Sequence, residues 1–331
     1  MIPKLDEIKE FIENNNSFVI VQADNPDGDS LATALALENI LSDMGKTVNL
    51  YCGVEMPNYL KFLNGWEKID KFFLAEFDAT IIVDTSANNL LEKLNESQAK
   101  MWVASKPVLV FDHHSEVECD IPYASIVCNP NNFASTGELV YEIAKKLKWP
   151  ISKESGEFIL QSILSDSLGL TSDIAGPKTY QRVSELLDMG IKRSKLEEAR
   201  RELSKMDPEV FRYKAKLIER TEFFYDNKIA VTIIPENESY DVGTLYNPGP
   251  LIISELLNVS GVKVAIVLKT YTNKLTGSIR CVSGVEIASD LAKAYGGGGH
   301  PYAAGFKIEK FKDDITEFKY SLVKQAFELL K

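Results

Sequence analysis

The sequence predicts an α/β protein: an N-terminal, mainly parallel sheet with helices on both faces, followed by a smaller α/β domain. Three observations lead there. Short apolar runs alternate with amphipathic stretches through the first half, the pattern of strand–helix–strand units. Acidic and imidazole side chains stand just after three of those runs. The three histidines of the chain fall in only two compact motifs, Asp112-His113-His114 and Gly296-Gly297-Gly298-Gly299-His300.

Taken in order, Ser17 to Gln22 reads as a buried strand, followed by a polar loop and a helix from Ser30 to about Met44. Thr47–Tyr51, Ala79–Val83 and Pro107–Phe111 are further strands. In such sheets ligands bind outside the carboxyl ends of the strands. The acidic loop after Gln22, then Asp84, then Asp112-His113-His114 all fall there, so separate strands deliver ligand-type residues to one edge. Helices are expected over Ser135–Leu147, Lys153–Asp166 and Lys178–Leu187. The highly charged stretch from Ser194 to Phe224 reads as helical, interrupted at Pro208. Beyond it, Ile229–Ile234 is a strand. Val262–Lys269 and Thr276–Cys281 form a strand pair joined through Thr272-Asn273-Lys274. A helix over Val285–Tyr295 leads into the glycine run, which is followed by a strand at Phe306–Ile308 and a final helix over Asp314–Leu330. The domain reading is therefore 1–192, a helical connector over 193–227, and 228–331.

Composition narrows the function. A chain of 331 residues is long enough for two domains. The net charge of −11 argues against a duplex-binding face, which relies on phosphate neutralisation by Lys and Arg. A short oligonucleotide in a small local site remains compatible with it. Cys52, Cys119, Cys128 and Cys281 form no C-x-x-C pair, so reduced, mostly buried thiols are expected. The N-terminus lacks a basic and apolar leader, and no run reaches the ~18 apolar residues of a membrane span, which makes a cytoplasmic location the expectation.

The loop Asn25-Pro26-Asp27-Gly28-Asp29-Ser30 sets two carboxylates two residues apart. One reading is an ordinary turn with Asp29 capping the helix. The other is a metal-binding loop with both carboxylates facing one point. Asp84 ends a wholly apolar strand, and Asp166 lies in an apolar helix that terminates at a glycine, where a carboxylate needs a partner or a cation. Carboxylates and imidazole without thiolate are ligands for Mn²⁺ or Mg²⁺, Mn²⁺ being favoured where imidazole contributes. Two such ions ~3.5–4 Å apart would activate water and stabilise phosphoryl oxygens. The glycine run lets backbone amides approach a phosphate or carboxylate closely. Arg280 and Ser278, two apart on one strand, point the same way, and Arg suits bidentate phosphate recognition.

At these residues the chain resembles the DHH phosphoesterase family. Asp27 and Asp29 match its first motif, Asp84 its second, Asp112-His113-His114 its third and Asp166 its fourth. The glycine run with His300 and Ala303-Ala304-Gly305 resembles the signature of the DHH-associated C-terminal domain. Order, spacing and length look like the branch that degrades very short RNAs, many members of which also dephosphorylate 3′-phosphoadenosine 5′-phosphate. The resemblance implies a DHH catalytic domain and a DHH-associated substrate-binding domain. It implies one well-formed Mn²⁺ site of Asp29, Asp84, His113 and Asp166, and a second, weaker one of Asp27 and bridging Asp84, with Mg²⁺ as the alternative ion. Asp112 would orient the site and His114 would contact the scissile phosphate. Arg280, Ser278, His300 and the amides of Gly297, Gly298 and Gly299 would hold the far end of a short single-stranded RNA or a linear dinucleotide. The expected reaction is hydrolysis to nucleoside monophosphates, by an enzyme compatible with a homodimer and with no membrane partner.

Two positions depart from the family pattern. Four residues before Asp27, where the family usually has a metal-binding histidine, stands Ala23. The alternative reading is therefore a nucleotide-binding protein of the same fold with weak or lost catalysis. The fourth motif reads Asp166-Ser167-Leu168 where the family tends to have Asp-Thr-Gly. A pyrophosphatase is disfavoured because the glycine-rich signature goes with the nuclease and nucleotide phosphatase branches.

Overall fold

A computed structural model of the chain describes residues 2–74, 76–114, 118–203, 205–241 and 248–331. It divides into two compact units, 1–205 and 206–331. In the first unit, α1 (Leu5–Asn14), β1 (Ser17–Val21), α2 (Gly28–Asp43), β2 (Thr47–Tyr51), β3 (Ile69–Asp70) and β4 (Ala79–Val83) come first. Next are α3 (Glu92–Glu96), α4 (Ala99–Ala104), β5 (Val108–Phe111) and β6 (Ile126–Cys128). α5 (Thr136–Leu147), α6 (Lys153–Asp166), α7 (Pro177–Asp188) and α8 (Arg193–Leu203) complete it.

The six strands form one sheet in the order β3-β2-β1-β4-β5-β6, with every pairing parallel. Alternation along β1 explains why both faces are covered. Phe18 and Ile20 point into a core shared with Leu31, Leu35, Leu139 and Ile159 of α2, α5 and α6. Val19 and Val21 point into a second core with Leu94, Ala99 and Val103 of α3 and α4. A strand buried on both faces needs the uninterrupted apolar run that the sequence shows.

The second unit contains α9 (Pro208–Glu219), β7 (Glu222–Phe224), β8 (Ile229–Ile234), α10 (Glu236–Asp241) and α11 (Pro248–Leu257). β9 (Val264–Tyr271), β10 (Lys274–Cys281), α12 (Ala288–Lys293), β11 (Gly298–His300), β12 (Ala303–Glu309) and α13 (Ile315–Leu329) follow. Its sheet runs β11-β12-β10-β9-β8-β7, antiparallel except for the parallel pair β8–β9. α12 and α13 cover one face, where Leu291 and Leu322 meet Ile266 and Ile279. α9 and α11 cover the other, where Leu217 and Ile252 meet Ala230 and Val267.

The stretch 193–227, expected as a connector, is divided between the units. α8 falls in the first. α9 and β7 belong to the second, because β7 pairs with β8 and Val210, Tyr213 and Leu217 are part of that unit's core. The four cysteines are free thiols, as expected. Among the described residues, no helix is long and apolar enough to cross a membrane.

Candidate metal centre

The parallel sheet ends at the site. The chain leaves β1 into the Asp27 loop, β4 into Asp84 and β5 into Asp112-His113-His114, all at carboxyl ends. Asp84 holds a left-handed backbone, φ 61°. That conformation costs a non-glycine residue roughly 1–2 kcal/mol, and such strain is characteristic of functional positions. α6 brings Asp166 in from its last turn, and α2 brings Asp29 in from its first.

Asp27 is the N-cap of α2. Its Oδ1 accepts from the Ser30 amide at 3.0 Å, while its own amide donates to Ser30 Oγ at 3.0 Å. The turn-and-cap reading is thus realised by Asp27 and not by Asp29. Asp29 lies two residues further on, within the first turn, and is fully buried. Its Oδ1 accepts from Thr33 Oγ1 at 2.8 Å and Ser162 Oγ at 2.5 Å, and its Oδ2 accepts from the Thr136 amide at 2.7 Å. Those bonds fix the orientation of a carboxylate that is buried from solvent.

His113 is the centre of the group. Its Nε2 lies 2.9 Å from Asp166 Oδ2, and 3.7 Å from both Asp29 Oδ2 and Asp84 Oδ1. Nε2 is buried, and Asp166 Oδ2 is close enough to pair with it and is the main group favouring its protonated form, although the contact is not well aligned. A buried nitrogen ringed by three carboxylates has the arrangement of a coordination site. Asp29, His113 and Asp166 place ligand atoms within 4.8 Å of one another, and so do Asp84, His113 and His114. The donor set fits a divalent cation such as Mn²⁺ or Mg²⁺. Electrostatics agree. Burial, then Asp29, Asp27 and Asp166, drive Asp84 well above the ordinary carboxylate range. Burial also raises Asp166. For His113 burial opposes protonation, but Asp166 and Asp29 outweigh it and lift the imidazole to about 9. The cluster carries an excess of negative charge that a cation offsets.

Asp112 has a different part. Its Oδ1 accepts from the amides of His113 and His114 at 2.8 and 3.1 Å and meets His114 Nδ1 at 2.8 Å. Burial works against its ionisation, but the hydrogen bonds from His114 and Ser86 hold its carboxyl below the usual range. Asp112 therefore orients the half-exposed His114, and that hydrogen bond in turn raises the imidazole above its ordinary value. Beside them opens a cavity of ≈ 230 Å³ lined by Ala23, Asp27, Asp84 and His114. Asp27 reaches this cavity but belongs to neither compact donor group. Ala23 is 4% exposed, and its carbonyl accepts from Cys52 Sγ at 3.4 Å. Asp24 does not replace the missing imidazole, because its Oδ2 accepts from the Lys93 amide at 2.8 Å.

Sequence reasoning missed the hydroxyl framework behind the acids: Thr33, Thr136 and Ser162. One signal was present. Ser135-Thr136-Gly137-Glu138 before an apolar run has the spacing of a capping box, and Ser135 caps α5 by accepting from the Glu138 amide at 3.1 Å, although the Glu138 carboxylate takes the Ala134 amide in place of the Ser135 one.

In the second unit, Ser278 and Arg280 share the open face of β10, paired with Gly305 and Ala303 of β12. Across β12, Gly298 pairs with Gly305 and His300 with Ala303. The glycine run is thus partly an edge strand and not only a loop. A Cβ on Gly297 would sit 2.2 Å from the Gly305 carbonyl, and one on Gly299 2.6 Å from the Ala303 carbonyl, whereas Gly298 faces open space. Close packing on β12 therefore requires two of the glycines. Arg280, His300 and Gly298 are exposed on this small-residue floor.

Comparison with known proteins agrees with this geometry. Residues 17–165 match the DHH family N-terminal domain and residues 226–329 match the DHHA1 domain. The uncharacterized protein MG371 homolog of Mycoplasma pneumoniae is 25% identical over 89% of this chain and 86% of its own. The bifunctional oligoribonuclease and PAP phosphatase NrnA of Bacillus subtilis is 22% identical over 86% of each. The crystal structure of an exopolyphosphatase-related protein from Bacteroides fragilis has the same fold, with a TM-score of 0.76, 23% identity, and coverage of 100% of this chain and 99% of its own. With two successive domains matched and the acidic centre assembled at the sheet edge, the chain belongs to the DHH family and carries a DHHA1 domain.

Proposed function

We propose that the protein is a Mn²⁺-dependent phosphodiesterase that hydrolyses short single-stranded oligonucleotides or linear dinucleotides to nucleoside monophosphates. 3′-Phosphoadenosine 5′-phosphate is a further substrate of the same centre. The observation that carries this reading is the buried His113 Nε2 ringed by Asp29, Asp84 and Asp166. The similarity to a named oligoribonuclease and PAP phosphatase over most of both chains supports it.

When bound, the divalent cation lowers the pKa of the attacking water and offsets charge on the phosphoryl oxygens. Asp29, Asp84, His113 and Asp166 would hold it, and Asp84 and Asp27 would share a weaker second ion. Asp112 keeps Nδ1 of His114 engaged, so the opposite ring nitrogen of a protonated His114 is free to donate to a phosphoryl oxygen. In the second unit, Arg280, Ser278, His300 and the glycine amides would capture the remaining phosphate or nucleotide. The test is a Mn²⁺-dependent hydrolysis panel of dinucleotides, longer single strands, 3′-phosphoadenosine 5′-phosphate and pyrophosphate. Turnover of pyrophosphate alone would overturn the proposal.

A second reading rests on Ala23, which brings no imidazole to its side of the metal cavity while Asp24 is engaged with the Lys93 amide. It is a nucleotide-binding protein with weak or lost catalysis. Tight binding of dinucleotide without hydrolysis at saturating Mn²⁺ would select it.

A further inference from the structure

The first unit holds a second, larger cavity of ≈ 680 Å³, within the ~300–1,000 Å³ range of ligand pockets. Part of its lining is the contact between α2 and α6. Gly28 approaches Ser165 so closely that a Cβ on residue 28 would lie 2.3 Å from Ser165 Oγ. Both are chain neighbours of metal-centre acids: Gly28 lies between Asp27 and Asp29, and Ser165 precedes Asp166. The cavity therefore adjoins the metal centre through the backbone that carries its ligands.

α8 lines the cavity with three arginines, Arg193, Arg200 and Arg201, and one acid, Glu197. Glu197 accepts from Arg200 at 2.8 Å and from Arg201 at 2.9 Å, which fixes both guanidiniums while neutralising only one charge. Two positive charges remain, in a chain whose net charge is −11. Arg193 and Arg200 are seven residues apart, ~10 Å along the helix. That separation is too wide to clasp one phosphate and calls for two separate phosphates of a strand.

The apolar lining is built with strain. Leu168, Gly169 and Leu170 are all left-handed, φ 50°, 72° and 72°. Two leucines in that region are costly. The turn is held by Gly169 N–H to the Leu164 carbonyl at 2.8 Å, Leu170 N–H to Ser167 Oγ at 3.0 Å, and Arg193 Nη2 to the Gly169 carbonyl at 3.2 Å. Its effect is to present Leu168, 73% exposed, to the cavity. Tyr59, 63% exposed, lines it too, with its hydroxyl donating to the Pro26 carbonyl at 3.2 Å. An anchored ring, an exposed leucine and spaced guanidiniums are what a single strand requires: base faces stack on the ring, and phosphates meet Arg.

We infer that this cavity is a subsite for the part of a single-stranded oligonucleotide that extends beyond the scissile phosphate. It would favour strands longer than a dinucleotide. The inference rests on the oligonucleotide reading given above, but it is tested without catalysis. The probes are a fluorescently labelled dinucleotide and pentanucleotide, bound to the full chain in EDTA and read by anisotropy between about 50 and about 200 mM salt. The wild-type protein should bind the pentanucleotide about tenfold more tightly than the dinucleotide. Arg193→Ala/Arg201→Ala should remove most of that preference, leave dinucleotide binding within about twofold, and lower the salt slope for the pentanucleotide by about one to two. Tyr59→Ala, which leaves the arginines in place, should reduce the preference without changing the salt slope. Equal affinity for both lengths in the wild type, or equal losses for both lengths in the arginine variant at unchanged Tm, would overturn the subsite. So would competition by inorganic triphosphate as strong as that by the pentanucleotide, which would assign the cavity to polyphosphate. Failure to hydrolyse any nucleotide, with the length preference intact, would instead overturn the catalytic reading alone.

Discussion

The hydroxyl of Thr136 donates to Asp84 Oδ1 at 2.9 Å, while the amide of the same residue donates to Asp29 Oδ2 at 2.7 Å. One residue at the start of α5 thus sets the separation of two carboxylates that come from the first turn of α2 and the end of β4. Outer hydrogen bonds of this kind orient metal ligands, and their loss typically costs ~10–100-fold in metal affinity. Thr136→Val keeps the shape and the amide but removes the hydroxyl. It should weaken Mn²⁺ binding by about tenfold or more, measured by titration calorimetry, while Thr136→Ser should restore it. Unchanged affinity in Thr136→Val would make the contact merely structural.

Protons and cation compete for the same centre. The fold raises His113 to about 9, and it raises Asp84 and Asp166 above the ordinary carboxylate range. In each case the folded chain holds protons more tightly than the unfolded chain. The metal-free protein therefore loses stability as pH rises through the raised carboxylate values, and again as it approaches 9. Mn²⁺ binding requires the deprotonated ligands and so strengthens over the same interval. The gain in Tm on adding Mn²⁺ should grow steadily from pH 6 to pH 9. A gain independent of pH would mean that the cation binds elsewhere.

Much of this centre was legible in the sequence because its ligands follow uninterrupted apolar strands, where position alone fixes direction. Asp84 after Ala79–Val83 and Asp112-His113-His114 after β5 are of this kind. Thr136 was not legible, since half of its contribution comes from a backbone amide that any residue would supply. Nor was β11, because Gly298 and Gly299 offer no side-chain pattern and pair with β12 through backbone alone. β3 is only two residues long, too short for any periodicity. The left-handed backbone of Asp84 carries no sequence mark, as aspartate only tolerates that region better than most residues.

Arg280 tests the second unit separately from the metal. Among the described residues its Nη1 donates to the preceding Ile279 carbonyl at 3.0 Å, so the exposed guanidinium needs little rearrangement to take a phosphate. A charged hydrogen bond of this type is worth ~1.5–3 kcal/mol. Arg280→Ala should raise KM for dinucleotides roughly ten- to a hundredfold with Mn²⁺ content unchanged. Unaltered kinetics would remove Arg280 from the site.

Ala23 decides whether the two cation positions are equal. Asp29, His113 and Asp166 form one compact donor group, with Asp84 Oδ1 3.7 Å from the shared His113 Nε2. That position should fill first. The other has Asp84 and Asp27, and Asp27 spends one oxygen capping α2. Without imidazole it should bind weakly, keep more waters, and lean toward Mg²⁺, as all-oxygen sites do. Ala23 lines the ≈ 230 Å³ cavity shared by Asp27, Asp84 and His114, so an imidazole at this position has space to reach the same point. Ala23→His should therefore tighten the second ion and raise activity at low Mn²⁺. Metal titration with anomalous diffraction on both proteins measures this directly. Two equally occupied Mn²⁺ ions in the unliganded wild-type protein would sink the idea. Asp24 is anchored to another element, its Oδ2 accepting from the Lys93 amide at 2.8 Å. His114, which already lies 3.8 Å from Asp84 Oδ1, would be the residue to examine next.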